Sequence, residues 1–260
     1  MQCGYYDSMK KLIIFDLDGT LTESKADMTS DIAVLLCQLL ARTKVAVISG
    51  GAMPQFQKQF LSHLSCTSEN LSQLVLLPTN GSEMFVYDEH NWQIEYDIKL
   101  SREEKDKIIQ AINESLGELN WGKLEKLFGN QIEDRGSEIT FSGLGQNAPL
   151  ELKNKWDPDR SKRLALSAAL QARIPEFEIT VGGITSVDVT KKGINKAFAI
   201  DQLHDRLKIG KKDMLYVGDA LFKGGNDYVA SLSGVESVSV KGPVDTARVI
   251  QDLLAYNKLA

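Results

Sequence analysis

The sequence is poor in cysteine, proline and aromatic residues, and it has no long apolar run. Its 260 residues include three cysteines, six prolines and 7% aromatic residues. Three irregularly spaced cysteines are too few for a disulfide framework or a zinc site. No apolar run approaches the roughly 20 residues that a membrane-spanning helix needs, and a hydrophobic content of 43% is ordinary for a globular protein. These features argue against a membrane protein, a disulfide-stabilised small domain and a disordered chain.

The sequence also lacks a surplus of basic residues. Lysine and arginine together number 30 against 35 aspartates and glutamates, which gives a formal net charge of −5. Proteins that bind the phosphate backbone of nucleic acids usually carry a basic surplus, often clustered in a patch. We therefore expect no nucleic acid partner.

The first eleven residues lack the apolar stretch of a secretory signal peptide. We therefore expect the protein to be cytoplasmic, in a reducing compartment. Cys37 lies within an apolar helical pattern, which predicts a buried free thiol in the core. Met9 is an alternative start, in which case the first eight residues would be a tail.

Three short apolar runs near the beginning of the chain each end in a turn-like segment. They cover residues 11–15, 45–48 and 74–77, and helical patterns separate them. Apolar runs of this length bounded by glycine turns are typical of strands buried on both faces. Strands that alternate with helices predict a parallel sheet covered by helices, and therefore an α/β fold.

The middle of the chain has a different pattern. Three hairpin-like segments occur at residues 83–96, 132–141 and 177–189, with helical patterns at 101–116 and 158–173. Strand and helix alternate again from residue 194. We therefore predict a discontinuous α/β core of residues 1–82 and 190–260, with an inserted α+β cap domain of residues 83–189.

Polar residues follow the predicted core strands. Asp16 and Asp18 end the first strand, Ser49 follows the second, and Asp219 follows a later one. Ligands of open parallel sheets bind outside the carboxyl ends of the strands. Asp16 is placed to act as a nucleophile or metal ligand, and Asp18 as a general acid and then a base. Grouped carboxylates need a cation, and oxygen ligands with open positions suit Mg²⁺.

The Asp-Leu-Asp-Gly segment has two other interpretations, a calcium-binding loop and a plain acidic turn. In a calcium-binding EF-hand loop, glycine is the sixth residue and glutamate the twelfth, whereas Gly19 is fourth when counted from Asp16. A plain acidic turn is disfavoured because this combination of residues rarely falls by chance directly after a buried strand.

Residues 15–22, Phe-Asp-Leu-Asp-Gly-Thr-Leu-Thr, resemble the first signature of the haloacid dehalogenase (HAD) superfamily of phosphotransferases. Ser49, Lys196, Asp219 and the pair Asn226-Asp227 match the later signatures in order. The resemblance implies a Rossmann-like parallel-sheet core. The insert occupies the position of the large α+β cap of one HAD subclass.

The resemblance narrows to the phosphomannomutase-like branch of the superfamily. The segment Gly-Gly-Asn-Asp at 224–227 has that branch's form of the last signature. The branch also has counterparts of Gly182-Gly183, Ser186 and Asp188. Gln57 and Gln59 match the branch's helix after the second signature. The branch implies a sugar phosphate substrate and a homodimer formed through the cap.

The chain departs from that branch at positions that would hold a sugar phosphate. Phe128 and Gln146 stand where the branch has arginine, and Arg135 is kept. A charged hydrogen bond is worth about 1.5–3 kcal/mol, so two lost arginines would weaken retention of a bisphosphate intermediate unless another cation substitutes. The candidate substitutes are Lys153, Lys155, Arg160 and Arg163.

These departures, with a Ser-Gly-Gly segment at 49–51 that is closer to HAD phosphatases, predict a phosphatase for a small phosphorylated sugar. The alternative is a hexose-phosphate mutase of the phosphomannomutase type, and a non-catalytic sugar-phosphate-binding protein is a third hypothesis. The resemblance implies an aspartyl-phosphate mechanism with Asp16, Asp18, Ser49 and Lys196 as catalytic residues.

The same resemblance implies the remaining site residues. The residues expected to bind Mg²⁺ or to lie beside it are Asp16, Asp18, Asp219, Asn226 and Asp227. The expected substrate-binding residues are Thr20, Gly50, Arg135, Ser186 and Asp188.

Overall fold

The computed structural model describes residues 10–24, 26–121 and 126–256, and the alternative start at Met9 lies outside these residues. The described residues form a seven-stranded sheet and a four-stranded sheet, with helices packed on both. No helix in these ranges has the length and apolar character needed to cross a membrane.

The strands and helices alternate along both ends of the chain. In chain order the strands are β1 (Leu12–Asp16), β2 (Lys44–Ile48), β3 (Leu74–Leu77), β4 (Glu83–Asp88), β5 (Asn91–Asp97), β6 (Ile132–Asp134), β7 (Glu138–Ser142), β8 (Phe177–Gly182), β9 (Ser186–Lys191), β10 (Met214–Gly218) and β11 (Glu236–Ser239). The α-helices are α1 (Ser30–Leu40), α2 (Met53–Gln59), α3 (Ser68–Leu71), α4 (Arg102–Leu119), α5 (Leu150–Trp156), α6 (Ser161–Arg173), α7 (Lys196–Leu207), α8 (Tyr228–Ser231) and α9 (Pro243–Tyr256).

The larger sheet has the order β11-β10-β1-β2-β3-β4-β5. Its first five strands in that order are parallel, β4 pairs antiparallel with β3, and β5 pairs antiparallel with β4. The strand β1, the middle one of the five parallel strands, is buried along its whole length, as expected for a parallel strand with both faces covered. The predicted α/β fold is confirmed.

Alternate residues of β1 pack into two separate hydrophobic cores. Ile13 and Phe15 belong to the core on the side of α1 and α9. Leu12 and Ile14 belong to the core on the side of α7. Because successive side chains of a strand point to opposite faces, the apolar run of β1 fills both cores and fixes Asp16 at the edge between them.

The hairpin of β4 and β5 lies in the larger sheet, whereas its sequence position predicted that it would belong to the insert. Val86 of β4 pairs antiparallel with Val75 of β3, and β5 forms the outer edge. The hairpin therefore lengthens the core sheet. The domain boundaries at 82/83 and 189/190 stay a prediction.

The smaller sheet has the order β6-β7-β9-β8 and is antiparallel throughout. The helices α4 and α6 cover one face, and their apolar residues pack against Ile139, Phe141, Val187 and Val189. A capping box of Ser101 and Glu104 begins α4. The intervening residues on β7 and β9 are polar and lie on the opposite face of the sheet.

Cys37 forms a disulfide with Cys66, so the expectation of a free core thiol was wrong. The helix α1 packs beside the segment that follows α2, which brings the two Cα atoms to 5.2 Å, a usual separation for a disulfide. The 29-residue spacing gave no signal because packing, and not sequence proximity, brings the two cysteines together.

Candidate active site

The carboxyl ends of β1, β2 and β10 meet at one edge of the larger sheet, beneath the smaller sheet. A cavity of about 520 Å³ lies between them. Asp16, Asp18, Ser49 and Asp219 line it from the core side. The side chains that sequence placed at the strand ends are therefore together in the structure.

Lys196 joins two carboxylates beneath the cavity. Its Nζ lies 2.5 Å from Oδ1 of Asp16 and also donates to Oδ1 of Asp227. All three side chains are buried, and Lys196 and Asp227 do not line the cavity. Lys191 and Lys192, which are near in sequence, pair instead with Glu104 and Glu178. The ammonium of Lys196 is thus held next to the expected nucleophile.

Local sequence explains how α7 presents this lysine. Lys196 is the first residue of the helix, and the side chain of Asn195 caps it by accepting hydrogen bonds from the N–H groups of Ala197 and Phe198. Such a cap satisfies N–H groups that have no partner within the helix. The cap therefore fixes the start of α7 at the edge of the sheet.

Tyr216 is a residue of the site that sequence analysis missed. Its Oη donates to Oδ1 of Asp227 at 2.6 Å, and the N–H of Ala220 donates to Oδ2 at 2.9 Å. Tyr216 lies within the apolar run of β10, so the sequence pattern gave no indication that its hydroxyl group belongs to the site. Together with Lys196 these groups place three donors on the Asp227 carboxylate.

Burial dominates the electrostatics of the carboxylates. It raises the pKa of Asp16 well above the usual range, although the neighbouring ammonium of Lys196 opposes the shift. Burial and the charge of Asp227 raise the pKa of Asp219 to about 6. For Asp227 burial is again the largest influence, but Lys196 and the donated hydrogen bonds outweigh it and the pKa is lowered. A cation in this cluster would favour the ionised form of each carboxyl group.

The carboxylates fit a divalent cation. Asp16, Asp219 and Asp227 each offer an oxygen within 4.8 Å of the others. The second oxygen of Asp16, Oδ2, is buried without a hydrogen-bond partner. Buried polar atoms rarely lack a partner, and carboxylate oxygens are the ligands that Mg²⁺ prefers. The residues present therefore suit the magnesium ion that sequence predicted.

The loop after β1 passes close to Asp219. Gly19 has φ +90°, and a Cβ atom there would lie 2.7 Å from Oδ2 of Asp219. Glycine is required for both reasons, since only glycine adopts this φ readily. Asp18 and Asn226 were also predicted near the metal. Both line the cavity, but Asp18 is not in the three-carboxylate group.

The side chain of Gln55 contacts Asp18. Its Nε2 donates to Oδ2 of Asp18 at 2.9 Å. The resemblance to the phosphomannomutase-like branch pointed instead to Gln57 and Gln59 of the same helix. In the structure Gln57 is exposed, and Gln59 donates to the carbonyl of Ala26. The signal for Gln55 was its position in the first turn of α2, the end nearest the strand edge.

The turn after β2 combines a hydroxyl group with two glycines. The N–H of Gly51 donates to Oγ of Ser49 at 3.0 Å. A Cβ atom on Gly50 would lie 3.1 Å from Oδ2 of Asp188, across the cavity. The bare backbone at Gly50 therefore lets the smaller sheet approach the core.

Arg135 connects the two sheets. Its Nη1 donates to the carbonyl of Gly50 at 2.5 Å and to Oε1 of Glu138 at 3.0 Å, and its Nη2 donates to Glu133 at 2.8 Å. The guanidinium therefore donates to two acidic side chains as well as to the core backbone. Arg135, which was predicted to contact the substrate, lines the cavity and also holds the insert against the core.

Glu138 is a buried acid that sequence analysis did not identify. Asn80 of the core donates to its Oε2 at 2.6 Å. Thr140 donates to Glu138 at 3.0 Å and has a 2.9 Å contact with Asp188. Burial, and secondarily the charge of Asp188, raise the pKa of Glu138 to about 8. This polar cluster forms the inner face of the smaller sheet.

Of the other predicted substrate contacts, Ser186 and Asp188 line the cavity and Thr20 does not. Thr20 is wholly buried, its Oγ1 has no hydrogen-bond partner, and its carbonyl accepts from Thr246 at 2.7 Å. The loop after β1 turns its side chain inward, so a direct contact between the Thr20 hydroxyl and a substrate in the cavity is not supported.

The four candidate replacements for the missing arginines differ in position. Lys155 is exposed and pairs with Glu151. Arg163 lines the cavity but is buried against Asp157 at 2.7 Å. Lys153 and Arg160 also line the cavity. They are the cations of the insert best placed to meet an anionic group of a substrate.

Arg160 spans the cavity from the insert to the core. Its guanidinium lies 5.2 Å from the ring centre of Phe222 and donates to the carbonyl of Gly224. Both partners belong to the loop between Asp219 and Asp227. Arg160 therefore links the insert to the loop that carries two of the grouped carboxylates.

A family model described as haloacid dehalogenase-like hydrolase matches residues 13–228 of the chain. The chain is also similar to curated relatives over nearly its full length. It is 26% identical to a phosphomannomutase of Saccharomyces cerevisiae, covering 96% of both chains. It is likewise 26% identical to a phosphomannomutase of Encephalitozoon cuniculi, covering 94% of both.

Solved structures share the fold at low sequence identity. The N-terminally truncated, IMP-bound IMP-nucleotidase of Plasmodium falciparum has a TM-score of 0.68 and 16% identity, and the match covers 95% of this chain and 68% of that one. A Streptococcus mutans protein has a TM-score of 0.62 and 18% identity, with 95% and 99% coverage. These likenesses support the architecture alone.

Proposed function

Because the chain belongs to the haloacid dehalogenase-like hydrolase family, we propose that it transfers the phosphoryl group of a small phosphorylated sugar through a covalent intermediate on Asp16. The observation that carries the proposal is the contact of Lys196 with Asp16 at 2.5 Å. It places a buried cation beside a carboxylate at the bottom of a cavity whose wall includes Asp18. The phosphomannomutase relatives support a sugar phosphate as substrate.

In the first step an oxygen of Asp16 attacks phosphorus, and the bond from phosphorus to the sugar oxygen breaks. Asp18 donates its proton to that leaving oxygen. The ammonium of Lys196 stabilises charge on the Asp16 carboxyl group, and Ser49 binds a phosphoryl oxygen. Positioning and charge stabilisation of this kind supply most of the catalysis in phosphoryl transfer.

In the second step Asp18 takes a proton from a water molecule or a sugar hydroxyl. The resulting nucleophile attacks phosphorus, and the bond from Asp16 to phosphorus breaks, which restores the Asp16 carboxylate. Asp16, Asp219 and Asp227 would hold Mg²⁺, with Asn226 and the Asp18 segment nearby. When bound, the ion supplies positive charge that neutralises the phosphoryl oxygens.

We favour a sugar hydroxyl as the acceptor, which makes the protein a hexose-phosphate mutase. The relatives that match over almost the entire chain are phosphomannomutases, and this supports the alternative over the phosphatase that sequence analysis favoured. Lys153 and Arg160 line the cavity and are suited to hold a second phosphate. A mutase needs such cations because its bisphosphate intermediate must turn over without escaping.

Hydrolysis is the second candidate. Phe128 and Gln146 occupy positions where the branch has arginine. Fewer charged hydrogen bonds to the distal phosphate would shorten the residence of a bisphosphate. Water would then complete the reaction, as in a phosphatase.

One incubation separates these candidates. The protein is mixed with mannose 1-phosphate, Mg²⁺ and a trace of glucose 1,6-bisphosphate, and both hexose 6-phosphate and free phosphate are measured. Faster appearance of hexose 6-phosphate supports the mutase, and faster release of free phosphate supports the phosphatase. Binding of mannose 1-phosphate without either product would contradict the proposal and favour a non-catalytic binding protein.

We also propose that the protein is a homodimer that associates through the insert. The support is the similarity to the phosphomannomutases, because the resemblance to that branch implies a homodimer formed through the cap. Light scattering of the purified protein measures the mass in solution. A monomeric mass at micromolar concentration would contradict the dimer without affecting the proposed chemistry.

A further inference from the structure

The side chain of Gln55 is placed to control the orientation of Asp18. Its Nε2 lies 2.9 Å from Oδ2 of Asp18, and both residues line the cavity. The two come from different elements, the first turn of α2 and the loop after β1. The hydrogen bond therefore holds a flexible glutamine against the expected acid and base.

The backbone of the neighbouring turn leaves space for this contact. A Cβ atom on Gly51 would lie 2.6 Å from both Cδ and Oε1 of Gln55. Those atoms are the end of a flexible side chain, so a larger residue at 51 would displace the carboxamide and leave the backbone in place. The Gly51 turn and the Gln55 side chain thus form one arrangement directed at Asp18.

We propose that Gln55 is a positioning residue that determines which oxygen of Asp18 exchanges a proton with the substrate. The inference rests on the proposed function, in which Asp18 is the general acid and base. The amide N–H of Gln55 occupies Oδ2 as an acceptor, so the transferred proton is carried by Oδ1. The carboxyl group cannot rotate to exchange its oxygens without breaking this hydrogen bond.

The chemical consequence depends on the leaving group. A sugar oxygen is a poor leaving group and needs a proton from Asp18 as its bond to phosphorus breaks. p-Nitrophenolate leaves as an anion and needs little protonation. General acid and base catalysis contributes about 10²- to 10⁴-fold, and misplacement of a catalytic group by about 1 Å can cost 10²-fold.

The first test compares Gln55→Leu with the wild-type protein on two substrates under saturating Mg²⁺. We expect kcat for mannose 1-phosphate to fall about 10- to 100-fold, with a smaller change in KM. The burst of p-nitrophenol from p-nitrophenyl phosphate should fall less than about threefold, because that step needs little acid catalysis. Gln57→Leu is the matched control, since Gln57 is exposed on the same helix. Equal losses on the two substrates would overturn the proposal.

The second test uses Gly51→Ala, which should displace Gln55 without removing it. Alone it should reproduce the leaving-group dependence of Gln55→Leu. In the Gln55→Leu background it should cause less than about a twofold further loss, because residues that act together are not additive. Independent, multiplying losses would show that Gly51 acts by another route and would contradict the arrangement described above.

The third test does not depend on activity. In protein labelled with ¹⁵N at glutamine, Asp18→Ala and Gly51→Ala should both shift the side-chain amide resonances of Gln55 and leave those of Gln57 unchanged. Unshifted Gln55 resonances would overturn the inference even if the enzyme is active. If the wild type turns over neither phosphoester, the proposed function fails, and the inference about catalysis fails with it. The resonance shifts still establish whether Gln55 contacts Asp18.

Discussion

Lys196 Nζ lies 2.5 Å from Asp16 Oδ1, which joins the first turn of α7 to the end of β1 across 180 residues of sequence. Both groups are almost completely buried. A buried ion pair depends on further hydrogen bonds to offset its desolvation, and Asp227 provides them by accepting from the same ammonium. The stability of the site and its chemistry thus depend on the same side chains.

Asp227→Asn should destabilise the fold and impair the reaction. The amide would present a donor to Lys196, Tyr216 or the N–H of Ala220, each of which is itself a donor. We expect a loss of about 2–3 kcal/mol in unfolding free energy, below the roughly 3–5 kcal/mol for a fully broken buried pair because Asp16 still faces the ammonium. Urea unfolding measures the loss, and Asp252→Asn on the exposed face of α9 is the control. A stability equal to that control would contradict the argument.

Glu138 should make stability depend on pH. Its pKa is raised from 4.5 to about 8 by burial and by Asp188, so between these values the folded chain retains a proton that the unfolded chain has lost. This contribution to stability is complete below about pH 4.5 and is lost as the pH rises through 8. The slope is at most about 1.4 kcal/mol per pH unit.

Glu138→Gln removes the titrating group and keeps an acceptor for Asn80. Between pH 5 and 8 its unfolding free energy should fall less steeply than that of the wild type, measured by urea unfolding at several pH values. Glu133→Gln is the control because Glu133 contacts the same guanidinium from a more exposed position. Identical slopes for Glu138→Gln and the wild type would show that Glu138 does not carry this dependence.

Arg160→Ala should weaken substrate binding. The variant loses the contact with the Phe222 ring and the hydrogen bond to Gly224. It also loses a cation that lines the cavity and is suited to donate to a phosphate of the substrate, and a charged hydrogen bond of that kind contributes about 1.5–3 kcal/mol. We expect KM for the sugar phosphate to rise at least about tenfold, which corresponds to about 1.4 kcal/mol.

Two further variants make the test of Arg160 specific. Phe222→Leu keeps apolar bulk but removes the ring, and it should raise KM by a smaller factor. Arg206→Ala removes a similar contact with Tyr96, at 4.8 Å, away from the cavity. If Arg206→Ala raises KM as much as Arg160→Ala, the effect is not due to the link across the cavity.

The disulfide predicts a count of reactive thiols. Alkylation of the denatured, unreduced chain should modify Cys3 alone, and prior reduction should expose Cys37 and Cys66 as well. Replacing both bridged cysteines by alanine should lower the unfolding free energy by about 2–4 kcal/mol because the unfolded chain regains freedom. Mass spectrometry counts the labels, and Cys3→Ala serves as the control. Three labels without reduction would contradict the bridge.

Strand patterns were sufficient to place the main site residues together. Apolar runs ending in Asp16, Ser49 and Asp219 predicted parallel strands, and parallel strands bring their carboxyl ends to one edge. The grouped carboxylates predicted the magnesium ion, and the resemblance added the catalytic role of Lys196. The structure brings these side chains together at one edge of the sheet, and the catalytic roles and the magnesium ion stay proposals.

Other features could not be read from sequence because they depend on contacts between distant segments. Gln55 meets Asp18 only once α2 packs beside the loop after β1. Glu138 becomes a buried acid only when the smaller sheet covers Asn80. The alternating pattern of β4 and β5 predicted a hairpin, but the pattern is the same whichever sheet the hairpin joins.

The bridge between Cys37 and Cys66 closes a covalent ring that contains β2, Ser49 and Gln55. A protease that cut the chain once inside this ring would leave both fragments attached to each other. Gel electrophoresis without a reducing agent would then show an intact chain, and electrophoresis with one would show two pieces. The segment that contributes the hydroxyl group and the glutamine of the cavity is therefore tethered at both ends even after its backbone is broken.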